Sequence, residues 1–145
     1  MGVSTVTLAG GTLANLGASA VWGSWRFDNA GDKLVATDNS TVSAVNVKFA
    51  NGGLIDVAAG KTLSFPGTVT DATSGGVSTL IKSGGSGAVT FSGTNTYTGS
   101  TTINAGTLAL AGTGALSGTS SITVNGAGAK FVQDFKELKC SLKID

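Results

Sequence analysis

KSGGSGAVTFSGTNTYTGSTTINAGTLAL, residues 82–110, alternates short bursts of β-formers with Gly, Asn and Ser every few residues. Successive side chains of a strand face opposite ways, so Val89 and Phe91 turn inward while Ala88 and Thr90 face out. Leu108 and Leu110 repeat the arrangement, with Thr107 and Ala109 outside. Gly93, Asn95, Gly99, Asn104 and Gly106 fall between the bursts, where residues that tolerate φ > 0 let a chain turn sharply. The stretch predicts strand, corner, strand, corner, with no helix, which is how a β-solenoid coils.

Lys82, Gly84, Gly87, Val89, Phe91, Ser92-Gly93, Asn95-Thr96-Tyr97-Thr98-Gly99, Thr101-Thr102-Ile103 and Ala105-Gly106-Thr107-Leu108 follow a recognisable order. It resembles the K-x-G-x-G-x-L-x-L-S-G-x-N-T-Y-T-G-x-T-x-I-x-x-G-T-L pattern of the passenger-associated transport repeat, also called the autotransporter-associated β-strand repeat. An extra Gly85-Ser86 step and Val89 and Phe91 in place of leucines are its departures. The upstream GGLIDVAAGKTLSF (52–65) resembles, more loosely, the rung that often precedes this repeat. The resemblance implies a surface-exposed or secreted passenger of a Gram-negative bacterium. The expected fold is all-β, a single-stranded right-handed parallel β-helix, with a helical or strand cap at its C-terminal end as one option.

Composition agrees with a solenoid. Among 145 residues there are 23 Gly and 1 Pro, with 12% charged and 41% hydrophobic residues. An ordinary globular domain carries about 25% charged residues. High Gly without Pro or a three-residue period excludes collagen, and the mean hydropathy of +0.28 is too high for disorder by composition. A net charge of +1 gives no pull towards nucleic acid or anionic lipid. Apolar runs fall well short of the roughly 20 residues of a membrane-crossing helix. No signal peptide opens the chain, so the resemblance implies a piece excised from a longer precursor. Nor does anything resemble a translocator barrel, so no membrane insertion by this segment is expected. Cys140 is alone, which rules out an intrachain disulfide and points to an inert buried thiol.

The same rhythm extends across residues 1–129. VSTVTLAGGTLANLGA (3–18) reads as strand, turn, strand, with Val6, Leu8, Leu13 and Leu16 as core, and its AGGTLAN resembles NAGTLALAG (104–112). In VWGSWRFD (21–28), Trp25 and Phe27 share a face and Trp22 points the other way. KLVA, AVNVKF, LIDV, TLSF and TVTD are the next rungs, separated by NAGD, TDNS, ANGG, AAGK and ATSGG; STLIKS and SSITVNGAGA complete the series. Pro66 sits between rungs, where a missing N–H matters least. From Lys130 the composition changes. KFVQDFKELKCSLKID (130–145) is charged and almost free of Gly, and Phe131, Phe135, Leu138 and Leu142 share one face of an amphipathic helix. Its last six residues fit a strand equally well. A cap, an interaction segment for another chain and a foreign tail are all open readings.

The chemistry-bearing residues are few. No histidine is present, and with one cysteine this excludes zinc sites and Ser–His–Asp or Cys–His catalysis. Asp28, Asp32, Asp38, Asp56 and Asp71 are the carboxylates that stacking might bring together, as in polysaccharide-cleaving β-helices. Beside Gly or Asn they read instead as turn-formers that bond nearby backbone. GGSGAV (84–89) has Val where a calcium β-roll needs Asp, and no Lys-Ser/Thr follows to make a phosphate cradle. Thr5/Thr7, Thr68/Thr70 and Thr94/Thr96/Thr98 raise an ice- or glycan-facing array, yet their spacing drifts. Tyr97 and Trp22 are the two candidates for stacking on sugar, with Tyr97 more simply a corner-packing residue. No catalytic, cofactor-binding or metal-ligating residue is therefore assigned, no cofactor is expected, and the chain reads as non-enzymatic.

The function expected is a structural display stalk whose rung-by-rung folding outside the cell aids export and which presents adhesive regions. Self-association through solenoid ends and a cell-surface or glycan ligand are the partners left open. A self-assembling fibre subunit and a carbohydrate-binding or carbohydrate-cleaving β-helix are the rival readings.

Overall fold

Period-2 alternation needs a partner strand on each side, and the chain finds both partners in its own neighbouring coils. The structure, a computed structural model, describes residues 5–8, 11–13, 24–27, 32–42, 46–49, 53–71 and 80–133, and no helix occurs among them. One face stacks β1 (Thr5–Leu8), β4 (Lys33–Ala36), β7 (Gly53–Val57), β10 (Leu80–Gly84), β13 (Thr101–Ile103) and β16 (Ile122–Val124). A second stacks β2 (Gly11–Leu13), β5 (Ser40–Val42), β8 (Thr62–Phe65), β11 (Ala88–Phe91), β14 (Thr107–Leu110) and β17 (Lys130–Gln133). The third carries β3 (Ser24–Phe27), β6 (Asn46–Phe49) and β9 (Thr68–Asp71), followed by the short pair β12 (Thr94–Asn95) and β15 (Ala115–Leu116). A backbone bond from Thr96 N–H to the Val69 carbonyl, 2.9 Å, joins these last two groups.

Every pairing is parallel and joins strands three elements apart in the chain. The chain visits three faces in turn and returns to the first one coil later, which makes the molecule a β-solenoid. Short connections suffice because no crossover helix has to be accommodated.

The interior is a set of columns, one residue per coil. Leu63, Val89 and Leu108 stack on the second face, and Phe65, Phe91 and Leu110 stack beside them. All six are buried, while Ala88, Thr90, Thr107 and Ala109 face outward, as their alternation predicts. Phe65 and Phe91 meet edge to face, with centroids 5.2 Å apart at 69°. Such a pair contributes about 0.5–1.5 kcal/mol beyond area burial. The column of Leu34, Ile55, Lys82, Ile103 and Val124 lines the first face. Val124 remains 47% exposed because no described residue stacks beyond it.

Two glycines show why corners this tight exclude side chains. Gly106 turns between β13 and β14 at φ +67°, and a Cβ there would lie 2.3 Å from the Gly87 carbonyl oxygen. At Gly93 the obstacle is contact alone, a Cβ falling 2.1 Å from the Gly67 carbonyl oxygen. Stacked corners of neighbouring coils touch backbone to backbone.

The predicted rungs KLVA, LIDV, TLSF and TVTD fall on β4, β7, β8 and β9, and the described parts of AVNVKF and STLIKS fall on β6 and β10. The sequence reading lacks β5, β12 and β15, which are too brief for a period to show. From Lys130 the chain begins as strand: Lys130 to Gln133 pair with Thr107 to Leu110, so the solenoid runs four residues past the expected boundary at 129. Phe131 takes the place below Leu108 that a core residue needs. Phe135, Leu138, Cys140 and Leu142 lie outside the described residues, as do Leu16, Trp22 and Asp28 and the side chains of Val6, Leu8, Leu13, Trp25 and Phe27.

Candidate functional site

Among the described residues, Lys82, Asn95 and Thr101 are buried polar side chains within the repeat-like stretch, with Asp32 and Ser40 buried outside it. Lys82 points inward between Ile55 and Ile103 and is 1% exposed. Its aliphatic stem fills the column while Nζ reaches the corner and donates to the carbonyls of Gly84 and, at 3.0 Å, Gly85. This is a snorkelling lysine directed at backbone oxygens instead of water. Burial lowers its pKa from the usual 10.5, and the Asp56 carboxylate partly offsets that. The unfolded chain therefore holds more protons between the lowered value and 10.5, and Lys82 adds stability as pH rises through that window.

Asn95 is fully buried on the third face. Oδ1 accepts from Val69 N–H at 2.8 Å, and Nδ2 donates to the carbonyls of Gly93 at 3.0 Å and Ala115 at 3.2 Å. It is not the turn position between strands that the sequence reading gives it, but part of β12. The side chain occupies an inward strand position and is satisfied by three coils, which only stacking makes available.

Tyr97 is buried too, 1% exposed, with its hydroxyl 2.6 Å from Thr101 Oγ1. Thr101 Oγ1 lies 3.1 Å from Thr119 Oγ1, and Thr119 donates to the Gly99 carbonyl at 2.6 Å. The corner-packing reading holds, and a buried ring has no face for sugar.

Burial raises the Tyr97 pKa above its usual 10.0, against a smaller opposing effect from the Thr101 hydrogen bond. Above that pH the folded protein keeps a proton that the unfolded chain releases. The stability from Tyr97 is thus complete below pH 10 and is lost as pH climbs through the folded value. Tyr97 is the one tyrosine of the chain, so tyrosinate absorbance reports it alone. In an alkaline titration we expect no tyrosinate signal around pH 10, and then a rise that coincides with loss of β-sheet circular dichroism. A tyrosinate signal at the usual pH in a still-folded protein would refute the buried phenol.

Each described carboxylate has its own surroundings. Asp38 accepts from Lys61 Nζ and from Asn39 N–H, both at 2.8 Å, and these bonds hold its pKa below the ordinary carboxylate value. The pair is well exposed and contributes little to stability. Asp71 accepts from Thr98 N–H at 3.0 Å and from Thr98 Oγ1 at 2.9 Å, clamping one coil to the next. Asp56 is the charged neighbour of Lys82, and Asp32 is buried. Among the described residues no group of three or more His, Cys, Asp and Glu side chains gathers in a metal-binding arrangement.

The threonines do not align into an array: Thr68 lies over Asn46, Thr70 over Lys48 and Thr94 beside Ala115. GGSGAV forms the end of β10, a corner and the start of β11. No helix among the described residues is long and apolar enough to cross a membrane. Sequence reasoning placed Lys82 in the pattern without a role and did not mark Thr101 as buried. Their positions opposite Ile55 and Leu80 become apparent only with the register.

Parallel strands returning coil by coil to the same three faces, over a core closed by a few buried polar groups, define the β-solenoid class. Residues 80–110 match the family model described as the passenger-associated-transport-repeat. The chain thus carries an autotransporter passenger repeat within its solenoid, and the two together fit a passenger fragment. No curated protein and no solved structure matches the chain.

Proposed function

We propose that this chain is a non-catalytic scaffold of a Gram-negative autotransporter passenger, which aids export by folding coil upon coil outside the cell and displays adhesive regions away from the membrane. The observation that carries the reading is the continuity of the repeat with its neighbours. β10, β11 and β13 each sit inside a sheet with a strand above and a strand below. A formed coil therefore presents a ready edge to the next segment of chain, and pairing with that edge disfavours return. The separate engagement of Asp38, Asp56 and Asp71 supports scaffold over enzyme. A surface or glycan ligand and end-to-end contact with another copy are the partners this role would take.

The test places the chain between a signal peptide and an autotransporter barrel and measures surface exposure by protease shaving. We expect the native chain to reach the surface, and a Phe91→Ala variant that weakens the solenoid to reach it several-fold less. Equal export of both would overturn the export role. Glycan-array binding by the native chain would favour an adhesive module over a bare stalk.

A further inference from the structure

Three inward polar side chains interrupt the aliphatic columns within a single stretch of chain. Lys82 lies between Ile55 and Ile103, Thr101 between Leu80 and Ile122, and Asn95 between Val69 and Leu116. The second face holds mainly apolar side chains, with Leu63, Val89 and Leu108 in one column and Phe65, Phe91 and Leu110 in the next, and only the small Ser40 as a buried polar member beside Leu63 among the described residues. A two-residue slip between neighbouring coils leaves every side chain on its own face. Near-equal aliphatics oppose that slip only weakly.

Asn95 is different in kind. Its amide bonds Val69 N–H in the coil before, the Gly93 carbonyl in its own coil and the Ala115 carbonyl in the coil after. Displacing either neighbour leaves a buried amide group without a partner, in a place that water does not reach. We infer that the Asn95 amide is a register lock, selecting the pairing of three successive coils against two-residue slips. A buried polar group that fixes register while adding little net stability is physically well founded. The lock is a property of the coil itself and stands apart from where the protein is displayed.

Cysteine pairs read the register directly, in the full chain with Cys140→Ser to remove the lone thiol. Thr102 and Thr123 are outward-facing partners on β13 and β16. Directly opposed parallel residues approach closely enough for a disulfide. Thr102→Cys with Thr123→Cys reports the native register. Thr102→Cys with Ser121→Cys or Asn125→Cys reports a slip in either direction. With Asn95 present, the native pair should dominate under mild oxidation. Asn95→Leu should raise the slipped-to-native cross-link ratio about tenfold, while the destabilising control Leu108→Ala should leave it unchanged. An unchanged ratio in Asn95→Leu, or an equal rise in Leu108→Ala, overturns the lock. Should Asn95→Leu lose its β-sheet signal, Asn95→Ser carries the same expectation, its hydroxyl being too short to span three coils. Loss of folding in both variants with no slipped product would also count against it, since Asn95 would then supply stability and not choice of register.

Discussion

Phe91→Ala should lower the free energy of unfolding by about 3–5 kcal/mol, much of the 5–15 kcal/mol available to an ordinary domain. Phe91 is fully buried, stacks between Phe65 and Leu110 and meets the Phe65 ring edge to face. Truncation removes the transfer free energy of the ring and leaves a void that the coil is poorly able to close. Coil spacing is set by the backbone bonds of parallel strands at about 4.8 Å, and those bonds resist the collapse that would fill the space. The adjacent Thr90→Ala should stay within about 0.5 kcal/mol, because Thr90 faces outward. Urea titration of both variants is the measurement. Comparable losses from the two would contradict the inward–outward alternation of β11.

Asn95→Asp should cost on the order of 4 kcal/mol, although the two side chains have nearly the same shape. One carboxylate oxygen can still accept from Val69 N–H. The other replaces a donor and faces the carbonyls of Gly93 and Ala115, three acceptors with no proton between them. Burial of the charge without a countercharge adds to the loss. These effects raise the pKa of the new carboxyl in the folded state above its unfolded value. The folded variant then binds more protons as pH falls, so acid should restore part of its stability. Thermal unfolding of the variant across the acidic range tests this. A stability that falls as the pH is lowered would show that the amide donor is not essential.

Much of the fold is legible in local sequence. Val89 and Phe91, or Leu108 and Leu110, announce a half-buried strand by period alone, and Gly106 announces a corner. The charged turn at Asp38 and the corner packing of Tyr97 follow from residue type. Asn95 is misread for a physical reason: an Asn near Gly satisfies its amide locally in most chains, whereas here only the Gly93 bond is local and the other two partners lie 26 residues before and 20 residues after it. Lys82 is obscured similarly, since lysine is rarely buried and the carbonyls it meets belong to a corner that exists only once β10 and β11 are placed. The short strands β5, β12 and β15 carry too few residues to show a period, and they form because neighbouring coils supply their hydrogen bonds. At Lys130 helical periodicity competes with strand pairing, and for Lys130 to Gln133 the open edge of β14 prevails.

By itself the sequence determined the class of this protein: strands without helices, corners at glycines, a transport-type repeat at one place in the chain and no histidine to do chemistry. Those properties are local, set by side-chain alternation and backbone sterics within a few residues. The tertiary structure decided the register, and with it which polar residues turn inward. Lys82 is packed by stacking between Ile55 and Ile103 and bonds the carbonyls of its own corner. Asn95 and Thr101 are bonded by groups that stacking brings from neighbouring coils, and no local pattern encodes a partner that arrives one coil later.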